Sequence, residues 1–410
     1  MGYDVYRVRG LYASLADGWT YLNGHELAQI PEKVSSGVAT AFRTSPLVAA
    51  VEPTHGNHSR AQAAGLPAGI AHDQAARRAI ADLVGADADR VVLGPNKEVL
   101  LRQLATALTP RLRRGSAVVL ARSLARGVAD IFATQASTVR YAEPDLGTGE
   151  LPTWQFHDIV TGSTRLVVVP AAHGYIGTHT DVAAIADITR QHSRAWLVVD
   201  ATDLAPYQSI DIDAWGADIV LLDCATLGGP QISAMIMRDT SMFPRLKPLS
   251  DGEGAASLEV GKLSMGLLGG VAPTIDHLAD LDDTARGTRR NRLKTSMKSL
   301  NTYLAKLSEH LVDSLSVLDQ VHLVGITGEA AAHSAAHRTP RVTFIVDGVD
   351  ASTVHARLLA NGIVTEQSPP DPLLAEMGAL DAGGAITVSL SPFNTTGDID
   401  QLLRAVASLA

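Results

Sequence analysis

The chain has 410 residues, 46% of them hydrophobic, a single cysteine and a formal net charge of −9 at pH 7. That length can bury a large core and exceeds one ordinary domain, and the lone Cys224 excludes an internal disulfide. The acidic balance, with only 4% aromatic residues, argues against nucleic acid as a partner. No apolar run is long enough to span a bilayer. The first residues, MGYDVYRVRG, form neither a secretion signal nor a myristoylation motif, because Tyr6 stands where Ser or Thr is needed, so a cytosolic location is expected.

Residues 1–20 read as an N-terminal arm. From 21 to 265, apolar-faced helices alternate with short apolar strands. ALTPRLRRG leads into SAVVLA, LARGVADIFATQA into TVRYAEP, STRLVVVP into the helical DVAAIADITRQHS, and that into AWLVVD ending at Asp200. This alternation predicts an α/β domain with a mostly parallel central sheet and helices on both faces. From 266 to 410 the pattern changes to long helices through Leu318. A smaller C-terminal α+β domain follows, built from VHLVGI, PRVTFIVDG, ASTVHARLLANG, AITVSLSPF and DIDQLLRAVASL. The basic run RGTRRNRLK, Arg286 to Lys294, precedes Met297, Leu300, Leu304 and Leu307 at helical spacing and reads as the solvated start of an amphipathic helix. Ala64 to Gly69 and Glu329 to Ala336 read as flexible loops, and His55, His58 and His72 as loop histidines without the partners a zinc site requires.

Two runs carry the chemistry. Trp196 to Val199 ends in Asp200, and Asp218 to Leu222 ends in Asp223; both suit buried strands of a covered parallel sheet. Each carboxylate then stands at a strand's carboxyl end, where open α/β sheets bind ligands, or simply caps the turn that follows.

Around them the sequence reads Val199-Asp200-Ala201-Thr202, Ile210-Asp211, Gly216-Ala217-Asp218, then Asp223-Cys224-Ala225-Thr226 before Gly228-Gly229-Pro230. Further motifs are EVG at Glu259 to Gly261 and SLSPFNT at Ser389 to Thr395. The pattern resembles the class V aminotransferase and cysteine desulfurase family of fold-type-I pyridoxal phosphate (PLP) enzymes, over nearly the whole chain. The resemblance implies a PLP-transferase-like fold, a PLP cofactor and a homodimer whose sites borrow residues across the interface.

Residue by residue, the implied site is depleted. Thr226 aligns with the lysine that forms the Schiff base, and no lysine lies between Asp200 and Met237. Asp223 and Ala225 align with the Ser and His that help hold the phosphate, and a carboxylate there repels a dianion. The phosphate loop reads Gly94-Pro95-Asn96-Lys97, whose helix-start amides are still able to hold an anion. Ala125 falls at the ring-stacking position, His173 at that of the Asn touching the ring hydroxyl, and Thr387 at that of the carboxylate-binding Arg. Asp200 remains as a partner for a pyridinium nitrogen, with Thr202 beside it. Lys97 and Lys262 are the candidate replacement lysines, with surface lysines as the plain alternative.

A persulfide-forming enzyme needs a thiolate on a mobile C-terminal loop, and Gly362 to Gly378 contains no cysteine. The favoured reading is a degenerate member acting as a binding or regulatory homodimer without covalent PLP. A PLP-linked aminotransferase or C–S lyase with a relocated lysine or non-covalent PLP is the alternative. A second alternative is a metal- or small-ligand-binding pocket built from Asp200, Asp203, Asp223 and His173. Its plain reading is polarity left over from the cofactor site, and no metal is expected.

Overall fold

The computed structural model describes residues 3–49, 65–134, 138–326 and 337–409. His55, His58, Ala64 and the Glu329 to Ala336 stretch lie outside the described residues. The main sheet has seven strands: β1 Val91–Gly94, β2 Ala117–Ala121, β3 Thr138–Ala142, β4 Thr164–Pro170, β5 Trp196–Asp200, β6 Ile219–Asp223 and β7 Ser233–Met237. Their order is β1-β7-β6-β5-β4-β2-β3, with β7 antiparallel to both its neighbours and the other pairings parallel. The α/β architecture with a mostly parallel sheet, expected from the alternating pattern, is the one observed. Runs such as AVVLA in β2 and WLVVD in β5 are buried throughout, as strands covered on both faces must be. Each such Val or Leu contributes roughly 1.5–3 kcal/mol when fully buried.

The helices of this part are α1 Glu32–Thr44, α2 Ala68–Val84, α3 Lys97–Ala107, α4 Arg126–Ala133, α5 Val182–His192, α6 Met265–Ala279 and α7 Arg289–Ser316. Side-chain caps fix several starts: Asn96 accepts from Val99 N, Asp181 from Ala184 N and Thr288 from Asn291 N. Helices α1 and α6 touch through small residues, since a Cβ on Gly269 would lie 2.1 Å from the Cβ of Ala41. In α7, Leu293, Met297, Leu300, Leu304 and Leu307 are all buried in an apolar stripe that faces the core, whereas the basic run is not simply solvated: Arg289, Arg290 and Arg292 are partly buried and pair with Asp82, Asp276, Asp211 and Asp280. Glu259, of the EVG motif, accepts from Leu93 N at 2.8 Å and from Arg77 of α2 at 2.9 and 3.0 Å, tying the segment before α6 to β1.

The smaller sheet is antiparallel, β8 Val321–Val324, β9 Arg341–Val346, β10 Glu366–Gln367 and β11 Ile386–Ser389, in the order β8-β9-β11-β10. Helices α8 Ala351–Ala360 and α9 Thr396–Ala407 accompany it, the latter opened by a Thr395/Asp398 capping box. The N-terminal segment, which the sequence divides at residue 21, joins this layer on both sides of that point. Tyr3 Oη donates to Pro392 O, Arg9 pairs with Asp398, Thr20–Tyr21 runs parallel to Ile363–Val364, and His25 N donates to Ser389 Oγ. An extended segment with unpaired amides satisfies them on the small sheet's loops and edge, a requirement that composition does not express. No helix among the described residues is long and apolar enough to cross a membrane.

Candidate functional site

In the β-ladder Ser233 pairs with both Gly94 and Asp223, so the end of β1 and the end of β6 share one edge of the sheet. Asp200, closing β5, pairs with Leu221 of β6 and stands at the same edge. Lys97 is the first residue of α3, three positions beyond Gly94, and its side chain crosses this edge to Asp200, with Nζ 2.7 Å from Oδ2. The other Asp200 oxygen accepts from Thr202 N at 3.2 Å. Burial works against a charged lysine here, but Asp200 first, then Asp203 and Asp223, outweigh it, and the Lys97 pKa is raised. Lys97 is therefore held as an ammonium ion.

A second charge cluster covers the first. Arg341 of β9 is 1% exposed; its Nη1 donates to Asp203 Oδ1 at 2.7 Å and to Gly174 O at 2.8 Å. His25 lies between two carboxylates, Nδ1 2.8 Å from Glu366 Oε2 and Nε2 3.3 Å from Asp203 Oδ1, with its ring edge-on to Tyr175. Burial opposes ionisation of Asp203, yet Arg341, His25 and Lys97 hold it well below the usual carboxylate range. Burial and then Arg341 disfavour a charged His25, but the hydrogen bonds to Asp203 and Glu366 prevail and its pKa is raised. The cluster joins four places in the sequence: the N-terminal segment, the loop after β5, β9 and β10.

The remaining candidates are spent on local structure. Thr226, in a turn of 3-10 helix, lies with its Oγ1 2.9 Å from Asp223 O and 3.3 Å from Thr202 O, both acceptors for its hydroxyl. Gly228 after it has φ +75°, and a Cβ there would meet Gln29 O at 2.6 Å, so the GGP turn needs its glycine. Asp223 accepts from Ala225 N, and burial raises its pKa against the pull of that bond and of Lys97. Thr202 is buried and its Oγ1 has no hydrogen-bond partner. Asn96 is exposed and spends its side-chain oxygen as the cap of α3. His173 is buried; its Nδ1 accepts from Tyr175 N, and its Nε2 is 3.5 Å from Asp371 Oδ1. Burial opposes a charged Asp371, yet the hydrogen bond from His173 lowers its pKa.

Lys262 is exposed on the coil before α6. Ala125 is exposed, and Thr387 is buried with its hydroxyl 2.8 Å from those of Thr343 and Ser368. Cys224 is buried, and burial, then Asp223, push its thiol well up. Asp200, Asp203, Asp223 and His173 do not converge on a metal site: among the described residues no cluster of three His, Cys, Asp or Glu side chains could hold an ion. The structure thus brings Lys97, Asp200, Asp203 and Asp223 together and turns His173, Asn96 and Lys262 elsewhere.

Arg341, His25 and Glu366 are the residues that sequence reasoning missed. Arg341 carried a signal, as a charged residue opening the otherwise uncharged strand RVTFIV. Its strand register sets Arg341 against Ser389 and Thr343 against Thr387, so Arg341 lies diagonally from the aligned Thr387 on one face.

Replacing Lys97 with Met leaves Asp200 buried without its cation. We expect Lys97→Met to lower unfolding stability by about 3–5 kcal/mol and the Lys97→Met/Asp200→Asn pair to recover much of that loss, measured by urea denaturation. A raised histidine pKa stabilises the fold fully below 6.5, and the effect is lost as pH rises through the folded value. The stability gap between the wild type and His25→Asn should therefore be widest between the carboxylate value of 3.8 and 6.5 and narrow as the solution becomes alkaline. A gap that widens with pH would contradict the charged-imidazole geometry.

Comparisons with known proteins agree with this architecture. The chain is 40% identical to the uncharacterized protein MT3887 of Mycobacterium tuberculosis (strain CDC 1551 / Oshkosh), over 100% of each. It is 26% identical to the aminotransferase-like protein FGM3 of Gibberella zeae, over 81% of each. The crystal structure of the cysteine desulfurase CsdA from Escherichia coli superposes with a TM-score of 0.80 at 18% identity, covering 98% of this chain and 97% of that one, a likeness of fold. The family described as Aminotransferase class-V matches residues 39–402, and the chain is a member of the class V aminotransferase family.

Proposed function

We propose that this family member uses its fold as a binding and regulatory homodimer and does not carry out Schiff-base chemistry on pyridoxal phosphate. PLP is the cofactor that family membership leads one to expect. The residues present do not fit it. One observation carries this reading: the carboxylate expected to pair with a pyridinium nitrogen, Asp200, already has the chain's own ammonium 2.7 Å away. The other cations near it are committed as well, since Arg341 and His25 each lie within hydrogen-bonding distance of Asp203 or Glu366. A phosphate dianion entering here meets Asp223, and Lys97, Arg341 and His25 are each already paired with a carboxylate.

A relocated lysine has little to work with. Schiff-base formation needs a free amine, and the charge around Lys97 keeps it protonated. Lys262 is solvent-facing, and the Cys224 thiol is buried and poorly ionised, which disfavours persulfide chemistry.

The homodimer reading rests on an apolar surface. Phe42 is 57% exposed, Val48 70% and Met265 37%, with Leu47 and Ile70 exposed beside them. They adjoin one another: a Cβ on Gly266 would strike the Phe42 ring, one on Gly69 would touch Met265, and Val48 pairs with Pro67 just before Ile70. A contiguous apolar patch of this kind suits a second copy related by two-fold symmetry.

Titration of the purified chain with PLP, followed by borohydride reduction and mass spectrometry, tests the chemistry. The expected result is no aldimine absorption and no pyridoxyl adduct on Lys97 or Lys262. A stoichiometric adduct at either lysine would overturn the proposal in favour of an amino-acid-transforming enzyme. For the assembly, sedimentation should give a dimer for the wild type and a shift toward monomer for Phe42→Asp. An unchanged dimer in that variant would remove this surface from the interface.

A further inference from the structure

The opposite edge of the main sheet has the reverse electrostatic character. Beneath the amino-terminal ends of β2, β4 and β5 lies a cleft of about 1080 Å³ lined by seven arginines and no aspartate or glutamate. Arg111, Arg113 and Arg114 come from the turn before β2, Arg165 from the start of β4, and Arg190 and Arg194 from the end of α5 and the loop after it. Arg245, from the segment after β7, closes the ring. In a chain where acidic residues outnumber Lys and Arg by 43 to 34, this is a concentrated exception.

None of the seven forms a salt bridge among the described residues, whereas Arg9, Arg77, Arg122, Arg238, Arg289 and Arg341 are among those elsewhere in the fold that do. Their hydrogen-bond partners are neutral, although the Asp218 carboxylate lies near enough to Arg111 and Arg190 to act on both electrostatically. Arg111 lies over the Trp196 ring at 3.9 Å and donates to Arg194 O; Arg113 donates to Pro110 O; Arg165 donates to Gly162 O and Thr164 O; Arg190 donates to Gly216 O. Burial, then the nearby Arg245, lowers the pKa of Arg111 against the opposing pull of Asp218. Carbonyl contacts orient guanidinium groups without neutralising them. Such a set leaves planar N–H forks available for phosphoryl oxygens, which arginine grips in pairs.

We propose that this cleft is a binding site for a compact polyanion carrying two or more adjacent phosphoryl groups. Several convergent charges in one concavity suit clustered phosphates better than a single anion. The volume matches a small-molecule pocket. An extended nucleic acid would instead need a long basic track, and the chain as a whole carries a formal net charge of −9. Trp196 is buried beneath Arg111, so no ring is offered for base stacking. The site is independent of the Lys97–Asp200 edge, and its occupancy does not depend on the fate of PLP there.

Calorimetric titration of the full-length protein with inorganic tripolyphosphate, orthophosphate and a single-stranded oligothymidylate tests this. Tripolyphosphate should bind with an affinity that falls as salt rises, and at least about ten-fold more tightly than orthophosphate. Arg113→Ser/Arg194→Ser, two exposed positions, should weaken it at least about ten-fold with an unchanged melting temperature. Arg122→Ser, which removes a surface arginine paired with Glu143 away from the cleft, should leave it unchanged. Equal binding of orthophosphate and tripolyphosphate, equal loss in Arg122→Ser, or no binding at all would each overturn the proposal. Tighter binding of the oligonucleotide than of tripolyphosphate would also overturn it, in favour of a nucleic-acid surface.

Discussion

A carboxylate at the end of a buried parallel strand must find a cation or a set of donors, and the rest of this site follows from how Asp200 solves that problem. Its partner is Lys97, supplied by the chain at the first turn of the helix after β1. Taking a charge out of water costs several kcal/mol, and removing one partner of such a pair leaves the other exposed to that cost. An enzyme that relies on an external cationic ring leaves its carboxylate waiting for it. Here the compensation is internal, so the fold reaches an electrically settled state by itself. The threonine at position 226 is consistent with this, because its hydroxyl is used on backbone carbonyls, Asp223 O of its own turn and Thr202 O of the loop after β5.

The second charge cluster extends the same logic across the two sheets. Arg341 and Glu366 belong to the small sheet, Asp203 to a loop of the large one and His25 to the N-terminal segment, so their contacts hold three pieces of the chain at fixed positions. Arg341 also binds Gly174 O, and Thr343 binds Tyr175 O, on the loop following β4. These are directional contacts in a setting of low dielectric, where a broken partner is costly and a satisfied network stiffens what it joins. The small domain is thereby fastened to the loops at the carboxyl edge by direct side-chain contacts.

Much of the fold was legible because its signals are local. Continuous β-branched runs named the strands, the alternation with amphipathic stretches named the parallel sheet, and the spacing of Leu293 through Leu307 named a helix face; in each case one residue's neighbours in sequence are the ones that decide its environment. The threonine at the position where the resemblance places the Schiff-base lysine was legible for the same reason, since it is a matter of identity at one position. The ion pairs were not. Lys97 and Asp200 are 103 positions apart, His25 and Glu366 are 341 apart, and neither propensity nor periodicity carries information about which side chains meet over such separations. His173 illustrates the limit, because its position beside the site was readable while its direction, toward Asp371, depends on a helix start from the other domain.

The two edges of the main sheet together give a physical criterion for where recognition is located in this molecule. Binding a charged ligand is favourable when the protein's own charges are held apart from their opposites and released from that tension by the ligand. At the carboxyl edge Lys97, His25 and Arg341 are each matched by a carboxylate within 3.5 Å, so an incoming anion would have to break a good contact to gain an equivalent one. At the amino-terminal edge seven guanidinium groups line a shared cleft, hydrogen-bonded to carbonyls, laid over a ring and with Asp218 as the carboxylate that acts on Arg111 and Arg190, and an anion arriving there gains contacts without breaking an ion pair of the lining arginines. The edge that the family fold makes available for a cofactor carries charges already paired within the chain, and a concentration of guanidinium groups lies at the other end of the same strands.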